Sequence, residues 1–197
     1  MREAAFRAFY AASIGTALGY TMQATAASWL MATLTPSAFM VALVQTASTL
    51  PTLLFGLVAG SLADIVERRR VILATQLAML VVVGALGCSA VFTVVGPTSL
   101  LFLTFLIGCG FTFYLPAQQA SVNRFVSRSE LPTAVALSAV AFNSARATGP
   151  ALAGALATWL GSGSALLASA MCWTCIGRST PSVGATWLRS GKVRCGR

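Results

Sequence analysis

The sequence predicts an all-α membrane protein of six transmembrane helices. Three observations carry that prediction: an apolar share of 57% with a mean hydropathy of +0.82, charged residues held to 9%, and six apolar stretches of near-spanning length, five of them uncharged and the fifth interrupted only by Arg146. A soluble domain carries about 45–50% apolar residues. A spanning helix needs about 20 mostly apolar residues. A closed β-barrel is the other architecture that can cross a bilayer, but its strands alternate polar and apolar residues and these stretches do not.

The spans are expected at Ala8–Leu34, Phe39–Ala63, Val71–Val95, Ser99–Leu115, Pro132–Leu160 and Gly163–Ile176, the last of them short. Arg2 and Arg7 ahead of the first could open a secretory signal, with Ala24–Ser28 as a cleavage site. That run exceeds the roughly 7–15 residues of a signal core, so it reads as an uncleaved first span. Residues 1–177 form the expected bundle, and residues 178–197 a basic tail. The tail breaks abruptly from the apolar pattern, which fits a shifted reading frame or a polybasic segment drawn to anionic lipid.

Charge orients the bundle. The connections Thr35–Ala38, Gly96–Ser99 and Gly161–Ser164 are uncharged, whereas the alternate ones carry Arg68, Arg69, Arg70, Arg124 and Arg128. Short loops rich in Lys and Arg stay in the cytoplasm, so both termini are expected inside a cell membrane. The excess of 13 Lys and Arg over 4 Asp and Glu is thereby explained without nucleic acid as a partner.

The composition also argues against an enzyme. There is no histidine, acids are few, and no metal-ligand spacing occurs, so general acid–base chemistry and a bound metal lack their usual groups. Cys172 and Cys175 form a CxxC inside an apolar run, away from the soluble setting of a redox motif. No cofactor is expected.

Within the spans, a few polar and small residues stand out. Gln45, Thr49, Thr52, Gly56, Gly60 and Asp64 share nearly one face of the second helix, a small-residue stripe suited to packing on a neighbour. Gln23 and Gln45 could each bond a substrate or another helix. Gly15 and Gly19 suit helix packing, and Trp29 suits the membrane interface. Arg146 lies about 21 Å along the fifth helix, close to the bilayer midplane. An arginine there costs about 2.5–3.5 kcal/mol unless it meets water or a partner, so it faces either a wet path or a buried pairing with carbonyls or amides. Asn143, Pro150 and Gly154 accompany it on one face.

Gly60-x-x-x-Asp64 followed by Arg68-Arg69-Arg70 resembles the loop signature between spans two and three of the major facilitator superfamily. There the aspartate and arginines latch the two transporter halves together, although Ile65 and Glu67 depart from the usual pattern. Met22-Gln23 with Trp29, Leu115–Ala120, Ser129–Leu137 and Phe142–Gly154 are similar to the efflux branch, which includes siderophore and macrolide exporters. Gly149, Pro150 and Gly154 resemble the helix-bending signature of its antiporters, with Ala145 and Ala153 where glycines often stand. The arginine many proton antiporters carry in span four is replaced by Thr104, and no proton-carrying acid is visible within the spans.

The resemblance implies one six-helix half of a secondary active exporter of a small molecule, such as a drug-like compound or a siderophore. Its partner would be a missing C-terminal half or a second copy. The alternative is a truncated remnant or a membrane assembly partner without transport of its own.

Overall fold

The computed structural model describes residues 2–92, 95–125, 131–161 and 163–171. They form five long helices, α1 (Arg2–Leu34), α2 (Ala38–Ile65), α3 (Arg68–Val91), α4 (Pro97–Phe125) and α5 (Leu131–Leu160). A sixth helical stretch covers residues 163–171. The basic tail, the end of the expected sixth span, Cys172, Cys175, Cys195, Arg128 and Glu130 lie outside the described residues.

Helix boundaries follow local chemistry. Between α1 and α2, Thr35 donates its backbone N–H to Met31 O, and Pro36 and Ser37 complete the connection. Proline fits poorly inside a helix and disfavours helical geometry in the residue before it. The α2–α3 connection is only Val66 and Glu67, closed by Val66 N–H to Leu62 O and Arg70 N–H to Glu67 O. Pro97 opens α4 at the first helical position, where its missing N–H costs nothing. After Leu160, Gly161 takes a φ of 86°, the left-handed geometry that glycine reaches without strain.

Two expected boundaries need correction. α3 stops at Val91 instead of Val95, ahead of Gly96-Pro97. α4 continues to Phe125, ten residues past the expected end at Leu115. The expected span stops where the strongly apolar run gives way to Pro116, Gln118 and Gln119, whereas the helix persists through Pro116 into Ala117, Gln118, Gln119 and Ala120, which are good helix formers apart from the proline.

α4 is the centre of the bundle. It packs most extensively on α2 and α3 and also meets α1, while α5 is held almost entirely by α1. Val44, Met79, Val83, Leu86, Leu100, Ile107 and Leu166 fill the core. The α1–α5 seam uses a stripe of small residues, Ala145, Gly149, Ala153 and Ala157, all buried. A Cβ added at Gly149 would run into Thr21 Oγ1. At the α2–α4 seam, a Cβ on Gly108 would lie 2.7 Å from Ser48 O.

The outer surface is apolar. Leu53, Leu57 and Trp159 are 83%, 92% and 85% exposed, joined by Phe39, Leu77, Val81 and Phe102. Water would penalise so broad an apolar surface, and lipid does not. The segments Ala38–Leu62, Arg70–Val91 and Pro97–Ala120 are each long and apolar enough to cross a membrane. The chain is therefore an all-α membrane protein.

Candidate functional site

The small-residue stripe of α2 does not pack on a helix within the described residues, contrary to expectation. Cβ atoms on Gly56 or Gly60 would meet nothing within 4 Å, and Gln45, Thr49 and Thr52 are exposed. The reason is that α4 takes a different face of α2, through Val44, Ser48, Pro51 and Ala59, all buried. Of the stripe, Gln45, Thr49, Thr52 and Gly56 border a cavity instead, and only Thr52 touches α4, through the Thr112 hydroxyl.

That cavity, about 720 Å³, lies between α1, α2, α4 and α5. Tyr20, Thr25 and Ser28 line it from α1, Gln45, Thr49 and Thr52 from α2, Phe111 and Gln119 from α4, and Phe142 and Arg146 from α5. Arg146 is the one charged residue in this lining. A second cavity of about 350 Å³ lies between α1, α4 and α5 and includes Tyr10, Ser13, Gln118, Ser138 and Asn143. Phe111, Leu115, Gln119 and Phe142 border both.

Arg146 is exposed and makes no ion pair or hydrogen bond among the described residues. Its guanidinium carbon sits 5.9 Å from the centroid of the Phe142 ring, one helical turn earlier. Phe142 stacks with Phe111 at 6.4 Å, and Phe111 with Tyr20 at 3.9 Å and 8° between planes. Three helices thus supply one aromatic wall, with a cation at its end. Tyr20 is fixed further by donating its hydroxyl to Ser48 O at 3.2 Å.

The remaining polar groups of the cavity are largely satisfied by their own helices. Thr49 Oγ1 donates to Gln45 O at 3.0 Å, and in the second cavity Asn143 Nδ2 donates to Ala139 O at 2.8 Å. Thr52 and Thr112 share a hydroxyl contact of 3.1 Å across α2 and α4. Hydroxyl lone pairs and the Gln45 amide remain turned to the cavity. Such a wall solvates a ligand without offering a nucleophile activated by a base.

Gln23 stands apart from this set. It is wholly buried, lines neither cavity, and has neither amide atom hydrogen-bonded. Thr104, also wholly buried, leaves its hydroxyl unpaired as well. Nearby in sequence, Thr16 accepts from Gln76 Nε2 at 3.0 Å and from Tyr114 OH at 3.4 Å, tying α1 to α3 and α4.

At the charged end of the bundle, Arg68 Nη1 donates to Ala120 O at 2.8 Å, joining α3 to the end of α4. Arg70 pairs with Glu67 at 2.9 Å on the surface. Asp64 lies in the last turn of α2 and Arg69 in the first turn of α3, and their side chains are outside the described set. Pro150 sits inside a continuous α5; its missing N–H frees the carbonyl of Arg146 from the helix ladder. Gly154 meets nothing within 4 Å.

Sequence reasoning missed Tyr20, Phe111 and Phe142 because aromatic residues in apolar helices look like ordinary lipid or core contacts. Their common depth becomes visible once α1 and α4 are known to run antiparallel.

The described residues thus form a helical membrane bundle with a cavity whose lining holds one arginine. Residues 1–179 match the transmembrane secretion effector family of the major facilitator superfamily, and the chain belongs to that family. It is a family of membrane transporters, not of enzymes. No curated protein and no solved structure matched the chain.

Proposed function

We propose that the chain is one six-helix half of a secondary active exporter that moves a small molecule across the cell membrane, with both termini in the cytoplasm. The observation that carries this reading is the cavity of about 720 Å³ with Arg146 unpaired in its wall. An intramembrane cation without a counterion is costly and marks a wet path or a ligand site. Arg146, Gln45 and Asn143 are assigned to the path; Gln23 belongs to the helix interior.

The efflux-branch motifs support export of a drug-like compound or a siderophore. The open stripe of Gln45, Thr49, Thr52, Gly56 and Gly60 suits a second bundle, supplied by a C-terminal half or another copy, closing over the cavity. Asp64 with Arg68, Arg69 and Arg70 would latch that bundle at the cytoplasmic end, and Gly149, Pro150 and Gly154 would set the bend of α5.

Efflux by cells expressing the chain, compared with an Arg146→Ala variant at matched protein level, tests the reading. Loss of efflux is expected, and unchanged efflux removes Arg146 from the path. Absence of flux from purified protein in vesicles, at every lipid composition and gradient tried, would favour a membrane assembly partner without transport of its own.

A further inference from the structure

The cavity has a second property besides its lone cation. Tyr20, Phe111 and Phe142 come from three different helices and yet lie nearly parallel, at 8° and 19° between successive planes. Phe142 carries the Arg146 guanidinium within 5.9 Å of its centroid. Phe111 and Phe142 border both cavities, together with Leu115 and Gln119.

We propose that the site selects planar aromatic anions: a flat ring lies against Phe142, the half-buried end of the stack, while its carboxylate or phenolate meets Arg146. This rests on the exporter reading above and names its substrate class. The chemistry is additive on one wall. A ring placed on an aromatic face gains offset stacking beyond its buried area. An anion on a guanidinium makes charge-assisted, bidentate hydrogen bonds, stronger than those between neutral groups. Nothing in the lining opposes the anion, because no acidic residue among the described ones borders either cavity.

The hydroxyls and amides of Thr25, Thr49 and Gln45 fit polar substituents without demanding them. A cationic ligand would meet Arg146 as a like charge, and a globular anion would gain the ion pair but lose the stack. The two halves of the recognition are therefore separable by probe.

Equilibrium binding of radiolabelled 2-naphthoate to the purified full chain in lipid nanodiscs is the test, with 2-naphthalenemethanol and 1-adamantanecarboxylate as the neutral and the globular competitor. The expected order is naphthoate well ahead of both, by about tenfold over the alcohol, the scale of one charge-assisted contact. Arg146→Gln should erase the advantage over the alcohol, and Arg146→Lys should keep part of it. Phe142→Leu should erase the advantage over adamantanecarboxylate, and Phe142→Tyr should keep it.

Equal displacement by all three probes in the unaltered chain overturns the proposal whether or not any variant folds, as does no naphthoate binding. Binding in the expected order without flux would leave this assignment standing and defeat the transport reading. Arg146-dependent efflux of other compounds without naphthoate selectivity would do the reverse.

Discussion

The seams between helices and the wall of the cavity use the same residue types to opposite ends. In the seams, Gly108 and Gly149 bring backbones together so closely that no side-chain carbon fits. In the wall, Gly56 meets nothing within 4 Å, and the same holds for Gly60 and Gly154 outside it. Hydroxyls divide likewise. Thr16 links α1 to α3 and α4, whereas Thr49 and Thr148 donate to their own helices and leave their lone pairs to open space. In lipid, where burial of apolar surface does not drive helices together, the seams supply stability through close packing. The wall is freed from that task and can carry polar groups.

Breaking a seam should have the largest effect. Gly108→Val or Gly149→Val should destabilise the bundle by about 1–3 kcal/mol, since each forces backbone or a packed side chain to move. Gly56→Ala and Gly60→Ala should leave unfolding in detergent unchanged while lowering efflux. If all four variants were equally destabilised, the division between seam and wall would collapse.

Thr16→Val should cost about 1–2 kcal/mol, because Gln76 and Tyr114 lose a shared acceptor in a buried setting. Chemical denaturation in mixed micelles measures it. Gln23→Leu should move the other way, raising stability by about 1 kcal/mol, since it removes two buried polar atoms that lack partners. A fall in stability on that change would mean that the Gln23 amide is bonded after all. The smallest effect is expected for Arg70→Gln, whose exposed pair with Glu67 should contribute nothing measurable to the same unfolding curve.

Much of this was legible beforehand, for reasons that also explain what was not. Apolar runs located α1 to α5 because lipid excludes charge, but they stopped short on α4, where the helix continues past Leu115 through Pro116 and the glutamines. Arg146 was legible as an expensive residue that must face water or a partner. The α2 stripe was legible as a face and not as a surface with a destination, since periodicity says which residues lie together and not what they meet. Only the packing of α4 on Ser48 and Pro51 shows that Gln45, Thr49 and Thr52 turn elsewhere. The aromatic wall needed three helices brought to one depth, and no local pattern encodes that.

The two-residue connection at Val66 and Glu67 has a mechanical consequence. Two residues reach at most about 7 Å, so the ends of α2 and α3 are effectively pinned. Along the rest of their length the two helices touch little, because α4 lies against both. The pair therefore works as a compass joined at its charged tip, with α4 as the wedge between its legs. The leg bearing Gln45 and Thr52 is thus fixed twice, by the short connection at its charged tip and by α4 along its length, so the side of the cavity it supplies is set by the wedge.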